Sequence, residues 1–342
     1  MVLLAFALTG PWALFGQDTT APQEEELNWD ELYNDPGSVN KLFVGFQPIY
    51  GELFKTNVNA GFGIESWYVV KNKATLHTSF RMPYHSYFFD FARNNAKRNS
   101  NVDNKPGVFN HIELGGTWHF RDFQTDDSVK MMVFDKTPNR RDLAAHEGRH
   151  IVIPAKLRKI YGGRLGAVIW SSTTDINQAM EQQGLVHGDL TNSSGAGLPA
   201  DYVNSTGELQ PLSVFSNISS AGLYLGGSMT WIRNVAITVE DHDSSVDDLL
   251  LTTFFDLLLS PYLALDDIEY GGDVYSTQAL ALKKFGFRAG VEGRFNRTWS
   301  WAYGAELGYR PSLENRGFFI LAKIGFPVYG TNLKKKVPAL TD

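Results

Sequence analysis

The segment Phe285-Gly286-Phe287-Arg288-Ala289-Gly290-Val291-Glu292-Gly293-Arg294-Phe295 changes character at every step. Phe285, Phe287, Ala289, Val291, Gly293 and Phe295 fall on one face. Lys284, Gly286, Arg288, Gly290, Glu292, Arg294 and Asn296 fall on the other. Side chains of a strand point alternately to its two faces, so this period of two predicts a strand with one apolar and one charged wall. The device repeats twice downstream. Trp299, Trp301, Tyr303, Ala305, Leu307 and Tyr309 oppose Ser300, Ala302, Gly304, Glu306, Gly308 and Arg310; then Phe318, Ile320, Ala322, Ile324, Phe326 and Val328 stand opposite Lys323. Runs of about ten residues are long enough to cross a hydrocarbon layer when tilted, whereas ordinary strands run to about five or six. Asn296-Arg297-Thr298 reads as a tight turn between the first two runs, and Leu313-Glu314-Asn315-Arg316 as a longer one before the third. Three long alternating strands in succession predict a barrel wall.

The same alternation appears upstream with more interruption. Val58, Ala60, Phe62 and Ile64 oppose Asn57, Asn59 and Glu65; Leu76, Thr78, Phe80 and Met82 oppose His77, Ser79 and Arg81. Val108, Ile112, Leu114, Trp118 and Phe120 oppose His111, Glu113, Thr117, His119 and Arg121. Residues 41–50, 129–134, 149–158, 161–172, 218–231 and 234–240 give further runs. The expected fold is all-β: a closed antiparallel transmembrane β-barrel of about 12–14 strands, an even number being favoured by closure. Residues 247–265 are apolar on every face and fit a helix or a strand; as a strand, they would place Asp256 in the lumen.

Composition sharpens this. At 43% hydrophobic residues and a mean hydropathy of −0.22, the chain lacks the apolar runs of about 20 residues that a helical membrane bundle needs. A barrel needs only alternate residues to meet lipid. The formal charge of −6 gives no general affinity for nucleic acid. The chain has 0 cysteines, which excludes disulfides, thiolate metal sites, thiol nucleophiles and an acylated anchor cysteine. Residues 1–16 are uncharged and largely apolar and read as a signal peptide ending at Gly16-Gln17, although the usual basic start is missing. Residues 17–40 read as an acidic flexible segment, 41–330 as the barrel, and 331–342, with Lys334-Lys335-Lys336, as a basic tail. The polar stretches 91–106 and 184–211 fall where long outer loops are expected.

The candidate site residues are the charges on inward faces: Glu65, Arg81, Glu113, Arg121, Arg164, Arg288, Glu292, Arg294, Glu306, Arg310 and Lys323. Their mixed signs argue against a strongly ion-selective pore. A small barrel whose interior is filled by salt-bridged side chains is favoured over an open path. Trp67, Trp118, Trp170, Trp231, Trp299 and Trp301 are expected in interfacial aromatic girdles. His146-Glu147-Gly148-Arg149-His150 matches the zinc-protease string, but Gly148 at its centre and Pro154 soon after oppose the required helix. Glu181 is a distant third ligand at best, so the string reads as a chance match, with His146 and His150 the residues a metal would use. His85, Ser86 and Asp90 are the nearest approach to a hydrolytic set and lack a nucleophile-elbow context.

The Gly16-Gln17 junction, the acidic leader, the long alternating strands and the closing segments 285–328 together resemble outer-membrane β-barrel proteins of Bacteroidota. The lysine-bearing tail departs from a barrel that ends on an aromatic residue. The resemblance implies a bacterial outer-membrane location and lipid contact, and it transfers no functional residue. The expected role is a non-enzymatic envelope scaffold or partner-binding component, for example of a secretion or surface-assembly system. The alternative is a passive channel or transporter for small solutes. No cofactor is expected. Candidate partners are outer-membrane lipid and envelope or secreted proteins.

Overall fold

The computed structural model describes residues 27–71, 73–85, 89–134 and 149–331. The expected signal peptide, the tail beyond Thr331, Ser86, His146 and Glu147 lie outside the described residues. Ten strands form the wall: β1 (Leu42–Phe54), β2 (Val58–Val70), β3 (Ala74–Pro83), β4 (Asn110–Val133), β5 (Arg149–Asp175), β6 (Phe215–Ile232), β7 (Leu249–Leu265), β8 (Phe285–Phe295), β9 (Ala302–Tyr309) and β10 (Phe318–Gly330). Each pairs antiparallel with its neighbour in sequence, and β10 returns to pair with β1, so the sheet has no open edge around the ring.

The closed all-β barrel is as expected; the count of 12–14 strands is corrected to ten. Two pairs of runs read separately are single strands. β4 continues through residues 110–133, and β5 spans 27 residues where 149–158 and 161–172 were distinguished. A register shift between His119 and Arg121 breaks the alternation in β4 and made one strand look like two. The run at 234–240 leaves the wall. Val235–Val239 pairs instead with Trp29–Asn34 on one side and Ser245–Asp247 on the other, in a separate three-stranded sheet. Trp29–Asn34 therefore corrects the expectation of a flexible segment through residue 40. Asn34 also closes a free edge of β5: its side-chain oxygen accepts from the Lys156 N–H at 3.0 Å, and its amide donates to the Pro154 carbonyl at 3.4 Å.

Of the ambiguous stretch 247–265, Asp247 ends the third strand of the small sheet, and residues 249–265 form strand β7. It looked apolar all round because Leu250, Phe254 and Leu258 are buried inside, whereas Phe255, Leu257 and Leu259 stand exposed outside. The outer surface repeats this on every side of the ring: Ile49, Leu53, Leu114, Leu165, Leu225, Leu307, Ile320 and Val328 are exposed, Leu225 to 64%. Such a belt far exceeds the scattered apolar surface of a water-soluble protein, and a lipid bilayer is the surface that covers it.

The two ends of the barrel differ. At one end, called the terminal end, lie Leu27 and Thr331, the first and last described residues, with the turns that follow β2 and β8 and the three-stranded sheet. Here β4 and β5 run on beyond their neighbours as a two-stranded ribbon, and Val129, Met131, Val133, Ile153 and Ala155 pack with Val235, Ile237 and Val239 into a small core. At the other end, long connections fold over the mouth. They carry α1 (Phe91–Asn99) and α2 (Ile176–Gln183). α2 starts on Asp175, whose side chain accepts from the Gln178 N–H at 3.1 Å, and it stops at Gly184, whose φ of 71° suits glycine. Ile176, Met180, Leu190, Leu212 and Ile268 join Phe54, Phe109, Trp170 and Phe319 in an apolar plug at this loop end.

Candidate functional site

Midway along the lumen, strands on opposite sides of the ring project charges toward one another. Arg288 on β8 is the hub. It donates to both oxygens of Glu113 on β4 at 2.7 and 2.6 Å, and through Nε to Asp256 Oδ2 on β7 at 2.9 Å. Arg164 on β5 donates to the same carboxylate, Nε to Asp256 Oδ1 at 2.9 Å. Glu306 lies 3.7 Å from Arg288 and 3.9 Å from Arg81, whose own Nη2 reaches His111 Nδ1 at 3.1 Å. Nearer the terminal end, Lys323 bridges Glu292 at 2.6 Å and Glu65 at 2.9 Å, and Gln47 donates to Glu65. Nearer the loop end, Arg310 pairs with Glu52, which also accepts from Asn59 at 3.1 Å. Aromatic faces complete the packing, with Arg164 4.2 Å from the Phe254 centroid and Arg288 4.7 Å from that of Tyr224. Gly226 on β6 lets this cluster close, because a Cβ there would overlap Asp256 Oδ1 and the Phe255 carbonyl.

Inside a low-dielectric wall such charges persist only when matched. Here Arg81, Arg164, Arg288, Arg294, Arg310 and Lys323 stand against Glu52, Glu65, Glu113, Asp256, Glu292 and Glu306, one acid for each base. The interior thus has no net sign with which to sort ions.

The space left between these side chains is uneven. A vestibule of about 70 Å³ lies at the terminal end, lined by Val39 and Asn40 and by residues of seven neighbouring strands, among them Trp67, His77, Arg158, Thr230, Leu250 and Arg294. At the ion cluster the remaining space is about 10 Å³, and beyond it, under the loop plug, about 20 Å³. One water needs roughly 10–15 Å³ on this measure, so the centre admits a single water at most.

Of the sequence-derived candidates, Glu65, Arg81, Glu113, Arg164, Arg288, Glu306, Arg310 and Lys323 are buried in the lumen, and Glu292 and Arg294 line the vestibule. Arg121 is corrected: the register shift after His119 turns it to the outside, where it lies over Phe123 at 4.9 Å. Two tryptophans are corrected as well. Trp67, 7% exposed, points inward with Arg294 stacked 4.4 Å from its ring, and Trp170, 1% exposed, packs edge-on against Phe54 in the plug. Trp118, Trp299 and Trp301 are exposed and Trp231 is half-buried, all on the outer surface near the terminal end. Glu52, His77, His111 and Gln47 join the network without having been singled out. Each shares a face with a neighbour or partner that was, as Glu113 does with His111.

Arg149 and His150 open β5, opposite Val133 and Met132, and both are exposed; residues 146–148 of the string lie outside the described residues. Asp90 is a structural acceptor, bonded by Asn57 at 2.8 Å and the Phe109 N–H at 3.0 Å. Glu65, His77 and Glu292 come close enough to hold a metal ion, but the Lys323 ammonium already donates to both carboxylates and occupies the space between them.

No protein-family model matches the sequence, and no curated protein matches it. Among solved structures, the chain is similar to a TodX deltaS2S3 mutant monoaromatic hydrocarbon channel at 10% identity, over 85% of this chain and 90% of that one, with a TM-score of 0.22. That likeness is too loose to carry an argument about function, which rests on the lumen itself.

Proposed function

We propose that the protein is a non-enzymatic barrel of the bacterial outer membrane that handles small polar solutes through its lumen, and that the path is closed in this conformation. The observation that carries the reading is the vestibule at the terminal end, whose floor is a cluster of ion pairs. Ion pairs make a breakable barrier: water admitted between them replaces the lost contacts, which no apolar plug permits. The ten-strand ring is too narrow for the standing aqueous channel of larger porins, so passage requires side chains to move.

Conductance in planar bilayers tests this. Wild type should give small, infrequent openings, and Glu113→Gln with Arg288→Gln, which removes a matched pair and leaves Arg164 on Asp256, should lengthen them. Silence from both would end the reading.

A scaffold role has one specific observation in its favour: the ribbon and three-stranded sheet build a second core outside the wall, more structure than a solute path needs. A protein co-purifying through that region, lost when residues 29–34 are deleted while the barrel persists, would favour it. The likeness to Bacteroidota barrels rests on sequence style alone.

A further inference from the structure

The vestibule differs from the central cluster in how its cations are held. Arg294 lines it and makes no ion pair or hydrogen bond among the described residues. Its guanidinium is stacked on ring faces, 4.4 Å from Trp67 and 5.6 Å from Phe43, with the Glu292 and Glu65 charges acting on it through space and no acceptor within bonding distance. A guanidinium offers five N–H donors in a planar fork matched to oxyanions, and stacking on a ring leaves those donors directed sideways and unused. Arg158, 5% exposed, lines the same space. Asp122 takes its Nε at 2.8 Å and also its Nη2, while Nη1 is buried without an acceptor.

The other charged and titratable groups facing the cavity are accounted for. Arg164 is engaged by Asp256, and Glu292 by Lys323. His119 meets Thr75 at 3.0 Å, and His77 stacks on Trp67. Around the ring, Thr75, Thr117, Ser228, Thr230 and Thr252 contribute hydroxyls from neighbouring strands, and Ile160, Ile232 and Leu250 form one apolar side. The cavity therefore presents surplus hydrogen-bond donors, and the one carboxylate among its described lining residues already accepts from an ammonium. Its volume of about 70 Å³ is room for roughly five waters, the size of a compact anion of four or five heavy atoms.

We propose that the vestibule is a binding site for a small oxyanion, a phosphate or a small carboxylate, gripped in bidentate fashion by Arg294 with Arg158 Nη1 as a further donor. The inference rests on the solute-path reading for its purpose and on the cavity alone for its chemistry. Bound there, the anion supplies Arg294 with the acceptor it lacks and waits on the ion-pair floor.

Calorimetric titration of the detergent-folded barrel with inorganic phosphate, and separately with acetate, tests it. We expect one site per barrel for at least one probe; which one binds tells a tetrahedral from a planar anion. Arg294→Gln should weaken binding about tenfold or more, and Arg158→Gln less. Glu292→Gln should tighten binding, because it removes a negative charge from the lining. This variant keeps the test informative if Arg294→Gln does not fold. No binding of either probe to wild type, unchanged affinity in folded Arg294→Gln, or weaker binding in Glu292→Gln would overturn the site. Binding without any conductance, even in the Glu113→Gln/Arg288→Gln variant, would retain the site and sink only the path; conductance without binding would do the reverse.

Discussion

The two closures of the lumen are built from opposite materials. At the loop end, Phe54, Trp170, Ile176, Met180 and Phe319 interlock as a dry core. At the centre, Arg288, Arg164, Asp256 and Glu113 fill a similar cross-section with matched charge. Apolar packing tolerates loss of a side chain as a cavity and resists water throughout. An ion cluster tolerates removal of a matched pair far better than removal of one member, because the unmatched partner is then stranded. The same barrel thus holds one stopper that is stable when damaged and one that is stable only when neutral.

The largest effect should follow from unbalancing the centre. Asp256→Ala leaves Arg164 without its carboxylate and takes one of three acids from Arg288; we expect a loss of about 3–5 kcal/mol in the urea unfolding of the detergent-folded protein. Removing charge in a matched pair, Asp256→Asn with Arg164→Gln, should recover much of that loss. Equal damage from both would show that the centre behaves as ordinary packing. At the loop end, Met180→Ala should cost about 2–5 kcal/mol by the cavity it leaves, without raising bilayer conductance. An increase in conductance there would mean that the apolar plug is the true barrier.

Most of the wall was legible in the sequence because period two survives wherever a strand has one wet and one dry face. It failed where both faces are apolar, as in β7, whose Leu250, Phe254 and Leu258 pack inside. It also failed at the shift after His119, which reverses the face of Arg121 without any glycine or proline to announce it. The two inward tryptophans carried a usable signal. Trp67 has the parity of Glu65 in β2, and Trp170 that of Arg164 in β5, so a strand whose charged residue faces inward places both inside. Weighting tryptophan as a girdle residue overrode that parity. The pairing of particular acids with particular bases was beyond reach, since it depends on which strands face one another across the ring.

Two smaller effects refine the contrast. Asp175 caps α2 beneath the apolar plug, and Asp175→Ala should cost about 1 kcal/mol and loosen that helix, seen as faster amide exchange over residues 176–183. At the terminal end, burial, reinforced by the nearby Asp248 charge, pushes the Tyr33 phenol up from 10.0 to about 12, against the pull of Arg297. A raised folded value means that its contribution is intact below pH 10 and is lost as pH climbs through about 12. A tyrosinate absorbance titration should therefore lose a late step in Tyr33→Phe; loss of a step near pH 10 instead would place Tyr33 in open water.

The absence of cysteine allows the division of the lumen to be probed directly, because a single introduced thiol has no competitor. Ser228 and Ser220 lie on the same inward face of β6, the first in the vestibule and the second beyond the ion cluster. With a small water-soluble thiol reagent added to the folded barrel, Ser228→Cys should label readily and Ser220→Cys only after denaturation. Comparable labelling of the two in the folded state would mean that the centre is open and that its ion pairs close nothing.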